Sequence, residues 1–139
     1  MDDRELIATE RERVLKLFSS KHKTGFNDKM EFAEWFISRL EKQNFSCYYC
    51  ETSILEIRSL IDNGLLKTRK TGYGWRGPVL EVDKRSNHLG YNPENCVLSC
   101  YYCNNDKSYT LDSEAYKRFF GPNRKVFFKY LATLQQVPQ

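Results

Sequence analysis

The tetrapeptide Cys-Tyr-Tyr-Cys occurs twice, at Cys47-Tyr48-Tyr49-Cys50 and at Cys100-Tyr101-Tyr102-Cys103. Two cysteines with two residues between them can turn both sulfurs toward one point, and two such turns supply the four thiolates that close a tetrahedral zinc site. The chain between Cys50 and Cys100 must then leave one knuckle and fold back to the other. A duplicated redox motif is the competing reading, but thioredoxin-like sites use a single pair at a helix start in an α/β pattern that this chain lacks. Cys96, the fifth cysteine, lies in an apolar run and reads as a small buried hydrophobe rather than a fifth ligand.

With 139 residues the chain has room for one compact domain. Its expected parts are an N-terminal helical region over 1–44, a metal-stapled unit over 45–120 and a C-terminal helix over 121–139. Nothing in the sequence is apolar for long enough to span a bilayer, and the acidic start Met1-Asp2-Asp3 is unlike a secretory signal. The expectation is a cytoplasmic protein with reduced thiols and no membrane partner.

The net charge of +4 is a mild excess that favours a polyanionic partner without specifying one. Its placement says more. Lys67, Arg69, Lys70, Arg76, Lys84 and Arg85 gather between the cysteine pairs, interleaved with Tyr73 and Trp75, a mixture suited to phosphates and to stacking on sugars or bases. A solvated loop would look the same in sequence.

Helical periodicity places Leu6, Ile7, Val14, Leu17 and Phe18 on one face of a helix from about Glu5 to Ser19. Ser20 to Phe26 breaks the pattern, and Asn27 or Asp28 caps a second helix with Phe32, Trp35, Phe36 and Leu40 facing the core. Ser53 and Glu56 form a capping box for a short helix ending at Asn63-Gly64. The stretch from Lys67 to Gly77 has no clear period and reads as a loop. Pro78 to Asp83 and Cys96 to Ser99 read as strands that pair antiparallel across a turn-rich connection. Two helices follow, one stacking Leu111, Ala115 and Phe119, the other Phe127, Leu131 and Leu134.

Several of these elements recur together in a known arrangement: the first cysteine pair, the strand ending in Asp83, the turn Gly90-Tyr91-Asn92-Pro93-Glu94-Asn95, the second pair with Asn104 attached, and Lys107. Over roughly Phe45 to Tyr116 the chain resembles the HNH endonucleases, in the zinc-stapled branch of recombination endonuclease VII. The resemblance implies an α+β fold, in which a ββα-metal unit with a four-cysteine zinc knuckle is embedded among flanking helices. It also implies metal-dependent hydrolysis of phosphodiester bonds in DNA, RNA being left open as a substrate. Asp83 and Asn104 would then be the ligands of one catalytic Mg²⁺ or Mn²⁺, and Asn95 would hold the connecting loop rigid. Lys67, Arg69, Lys70, Arg76, Arg85 and Lys107 would meet the nucleic acid.

The chain departs from that pattern at Lys84, where the family usually carries the histidine that deprotonates water. An ammonium near its free pKa of about 10.4 is a poor base at neutral pH. Three readings stay open at this position: Lys84 deprotonated by its surroundings, His88 reaching in from the connection, or a site that binds nucleic acid without cutting it. Two rival functions accompany them, a degenerate HNH binding module and a nuclease-like subunit of a larger complex of the phage-defence type. The sequence does not choose between a protein partner, a homodimer and a monomer.

Overall fold

The computed structural model describes residues 1–18, 25–72 and 74–135. Helix α1 spans Asp3–Leu17, with the Asp2 carboxylate accepting from the Glu5 amide at 2.8 Å. Helix α2 spans Lys29–Lys42 and is capped by Asp28, which accepts from Glu31 at 2.8 Å. These carboxylates satisfy amides that a helix start leaves without partners. Ser19 and most of the expected break from Ser20 to Phe26 lie outside the described residues.

The two helices pack together and bury Leu6, Val14, Phe32, Ala33, Phe36, Ile37 and Leu40. Leu17 is exposed, and Glu10 takes a buried place on α1 because Arg13 grips its carboxylate at 2.7 Å and stacks over Phe36. Helix α3, Ile54–Asp62, follows the first knuckle with Ser53 as its cap, and it ends at Gly64 with φ +75°.

The segment expected as a loop is a β-hairpin. Strand β1, Arg69–Thr71, pairs antiparallel with β2, Gly74–Arg76, matching Arg69 with Arg76, Lys70 with Trp75 and Thr71 with Gly74. Its alternation was illegible because both faces are largely exposed, so no apolar side marks a period of two. Gly74 at φ +116° and the Thr71 hydroxyl, which donates to the Gly74 carbonyl at 3.0 Å, close the turn. Tyr73, expected among the stacking residues, lies outside the described residues.

A second antiparallel pair joins β3, Glu81–Lys84, to β4, Cys96–Ser99, with Asp83 opposite Val97 and Lys84 opposite Cys96. Strand β3 begins later than Pro78. Helix α4, Tyr101–Lys107, starts inside the second knuckle and packs on β3, which completes the ββα unit.

Helices α5, Ser113–Phe119, and α6, Gly121–Leu134, differ from the expected faces. On α5 the buried residues are Ser113 and Tyr116, while Leu111 precedes the helix and Phe119 is 60% exposed. On α6 Phe128 and Leu131 are buried, and Phe127 is 48% exposed. The rotation is set at Gly121, whose backbone lies so close to the first knuckle that a Cβ would stand 2.1 Å from the Tyr49 carbonyl oxygen. One continuous core runs from Leu6 through both knuckles to Leu131. None of the described helices is long and apolar enough to cross a membrane.

Candidate metal centre and nuclease site

Cys47, Cys50, Cys100 and Cys103 come together with all four sulfurs within 4.8 Å of one another, and each residue is buried. Four sulfurs bound at about 2.3 Å around one zinc ion are about 3.8 Å apart, so the cluster is of the right size for a tetrahedral thiolate site. Backbone amides point at the sulfurs. Tyr49 donates to Cys47 Sγ and Cys103 to Cys100 Sγ, both at 3.3 Å, which favours the charged thiolate that a metal requires. Cys50 lies 4.0 Å from Cys100 across the cluster. Hydrogen bonds from Cys100, then Cys103 and Cys47, draw the Cys50 thiol far below its ordinary pKa, while burial pushes Cys100 up. Cys96 lies buried in β4, outside the four-sulfur group.

Strand alternation puts Glu81 and Asp83 on the same face of β3, the face covered by α4. Asp83 is buried. Its Oδ2 accepts from the Tyr49 hydroxyl at 2.5 Å and lies 3.4 Å from the Lys107 ammonium. Burial raises the Asp83 pKa above the ordinary carboxylate range, against the lowering effects of the Tyr49 hydrogen bond and the Lys107 charge. From α4, Asn104 donates through Nδ2 to Glu81 Oε1 at 2.9 Å. Glu81 is held in turn by both ends of the Arg76 guanidinium, at 2.9 and 2.5 Å, and that guanidinium lies 4.6 Å from the Tyr101 ring centre.

Among the described residues, the supporting contacts therefore fall on Asp83 Oδ2 and on Asn104 Nδ2, and leave out the Oδ1 atom of each side chain. Two hard oxygen donors of this kind, on elements in contact, fit a divalent ion such as Mg²⁺ or Mn²⁺.

Asn95 is buried and ties its loop together. Its Nδ2 donates to the carbonyls of Ser86 and Gly90 at 2.8 and 2.7 Å, and its Oδ1 accepts from the Ser86 amide at 3.0 Å. His88 is exposed in that loop. Lys84 projects to the opposite face of β3 from Asp83, with its ammonium 4.9 Å from the centre of the Tyr91 ring.

Two residues expected on nucleic acid are placed otherwise. Lys107 is 2% exposed and paired with Asp83, so it is an internal counter-ion and not a surface contact. Arg76 is half-buried in its fork with Glu81. Lys67, Arg69, Lys70 and Arg85 are exposed, Arg85 beside Glu114 at 3.0 Å. Trp75 is 59% exposed, with the Lys70 ammonium 5.9 Å from its ring centre.

Sequence reasoning missed Tyr49 and Glu81. Tyr49 occupies a spacer position inside a metal knuckle, where the ligand pattern places no demand on residue type. Glu81 carried a usable signal, since it stands two residues before Asp83 in a strand and so shares its face.

Comparison with protein-family models and with curated proteins gives no match. Among solved structures, the rare-cutting HNH restriction endonuclease PacI, a protein described as perturbing DNA, superimposes with a TM-score of 0.61. The chain has the fold of an HNH endonuclease. Sequence identity with PacI is 21%, over 87% of this chain and 78% of that one. Within this HNH fold the β3–β4 pair and α4 form the ββα unit, the four cysteines staple it, and α1, α2, α3, α5 and α6 surround it.

Proposed function

We propose that the chain is a metal-dependent endonuclease that hydrolyses phosphodiester bonds in DNA. Zinc would occupy the four-cysteine site, and Asp83 and Asn104 would hold Mg²⁺ or Mn²⁺. The observation that carries this reading is the placing of these two side chains on elements in contact, β3 and α4, each braced through the atom that a metal would not use. When bound there, the divalent ion supplies charge to polarise the scissile phosphate and stabilise the departing oxygen.

The protein's own part is positioning. Lys107 and Tyr49 hold the Asp83 carboxylate, Glu81 and Arg76 hold the Asn104 amide, and Asn95 keeps the connecting loop in one conformation. The β1–β2 hairpin extends from the same region, because Arg76 at its end is bound to Glu81. Lys67, Arg69 and Lys70 would contact phosphates, with Trp75 available for stacking, and Arg85 lies just past β3. A two-stranded ribbon of this width can enter a DNA major groove.

Lys84 and His88 are the candidates for the base that activates water, and one observation favours a second reading. Lys84 rests its ammonium on the Tyr91 ring, a contact that suits the charged form, and a charged ammonium cannot accept a proton. A site built this way would bind nucleic acid without cutting it.

The test is cleavage of plasmid DNA, single-stranded DNA and RNA by the zinc-loaded protein with Mg²⁺, with Mn²⁺ and with neither. Nuclease function predicts divalent-ion-dependent cutting that Asp83→Ala and Asn104→Ala abolish while zinc content stays at one per chain. Binding without cleavage under every condition would establish the second reading.

A further inference from the structure

The contact between the first knuckle and Asp83 goes beyond stapling. Tyr49 sits between Cys47 and Cys50, and its backbone is tied down at both ends: the amide donates to Cys47 Sγ at 3.3 Å, and the carbonyl is in close contact with the backbone of Gly121. The next residue back, Tyr48, donates its amide to the Leu98 carbonyl on β4 at 2.9 Å. The ring is 1% exposed, with Tyr116 edge-on at 5.3 Å and the Lys107 ammonium 5.8 Å from its centre.

From this base the hydroxyl reaches two side chains, Asp83 Oδ2 at 2.5 Å and Ser113 Oγ at 2.6 Å. A phenol has one proton to give, and the carboxylate has none to offer in its charged form. The Tyr49 proton therefore goes to Asp83, and Ser113 donates to the phenol oxygen. The relay runs in one direction, from α5 through the knuckle to β3.

We propose that Tyr49 is a positioning residue for the catalytic ion: carried on the metal knuckle, it fixes the rotamer of Asp83 so that the oxygen it does not bind is presented to Mg²⁺ or Mn²⁺. The inference rests on the nuclease reading of Asp83 and Asn104. It differs from a purely structural role in what it predicts. A tyrosine that only fills the core affects stability. A tyrosine that aims a ligand affects the affinity of the ion, because partners of metal ligands typically contribute 10- to 100-fold in affinity or activity.

The experiment is titration of the full-length, zinc-loaded protein with Mn²⁺, followed by the electron paramagnetic resonance signal of the free ion. Filling the knuckle with zinc first keeps Mn²⁺ from the cysteines. Tyr49→Phe keeps the ring and removes the hydroxyl, and it should weaken Mn²⁺ binding by about 10-fold or more at unchanged zinc content. Ser113→Ala leaves the phenol in place and removes its second anchor, so it should weaken Mn²⁺ by a smaller factor and keeps the test open should Tyr49→Phe fold poorly.

Mn²⁺ affinity within twofold of wild type in Tyr49→Phe, or in Ser113→Ala if only that variant folds, would overturn the inference and leave the nuclease reading standing. If wild type binds no Mn²⁺, or binds it equally well as Asp83→Ala, the ion-site assignment fails and this inference falls with it.

Discussion

The side-chain amide of Asn104 on α4 donates to the carboxylate of Glu81 on β3 at 2.9 Å. This bond fixes which way the amide faces. With Nδ2 committed to Glu81, the carbonyl oxygen is the atom directed elsewhere, the orientation a hard cation needs. Glu81 is itself held by Arg76, so a chain of three side chains links the basic hairpin to the proposed ion site. Glu81→Ala is expected to lower divalent-ion affinity and cleavage by about 10-fold, as loss of a ligand's partner does, with zinc content unchanged. Glu81→Gln keeps an acceptor for Asn104 and should lose less. Equal activity in Glu81→Ala and wild type, measured under single-turnover conditions, would remove Glu81 from the site.

Lys107 and Asp83 form a buried pair, and breaking such a pair from one side typically costs about 3–5 kcal/mol. Lys107→Met should show a loss of that order in chemical denaturation at neutral pH. The pH dependence has a definite sign. The folded-state pKa of Asp83 is raised, so the folded protein takes up this proton before the unfolded chain does as the pH falls. The variant's deficit should therefore be largest where the carboxylate is charged and shrink as the pH is lowered through that raised value. A surface lysine would behave differently, changing the salt dependence of DNA binding with little effect on stability. That second behaviour is expected of Arg69→Glu and Lys70→Glu on the hairpin.

The four clustered cysteines and Cys96 should separate cleanly. Cys47→Ser or Cys103→Ser removes a ligand of the proposed zinc site and should abolish stoichiometric zinc, with loss of soluble protein. Cys96→Ala removes one sulfur from the β4 core and should cost on the order of 1 kcal/mol with zinc retained. Elemental analysis together with thermal unfolding measures both, and zinc loss on Cys96→Ala would mean that the ligand set is misassigned.

Substitutions at Lys84 and His88 test cutting against binding. If it is the base, Lys84→Ala should lower cleavage by about 10²-fold or more, and Lys84→His should retain or raise it. If His88 serves, the large loss moves to His88→Ala, and Lys84→Ala shows weaker binding. Cleavage appearing only in Lys84→His would identify the native site as a binding one.

The parts of this protein that sequence made legible are those whose physics is local. Metal-ligand spacing announced the two knuckles, the caps at Asp28 and Ser53 announced their helices, and Asp83 and Asn104 stood at positions fixed by the strand end and by the second cysteine pair. The hairpin from Arg69 to Arg76 escaped because a ribbon exposed on both faces carries no hydrophobic period. The buried faces of α5, and of α6 apart from Leu131, differ from those the helical period marks because periodicity ranks apolar residues, while the rotation of these helices follows Ser113 bonding Tyr49 and Gly121 abutting the knuckle.

The same reason explains Lys107 and Tyr49. A lysine near a basic cluster looks like a phosphate contact and a tyrosine between cysteines looks like a spacer, until chain segments far apart in sequence close around Asp83. Sequence alone determined the four-cysteine group, because coordination chemistry depends on residue type and short spacing. Only the tertiary structure decided which neighbours hold Asp83, because a hydrogen bond between residues 34 positions apart, as from Tyr49 to Asp83, exists only after the core has formed.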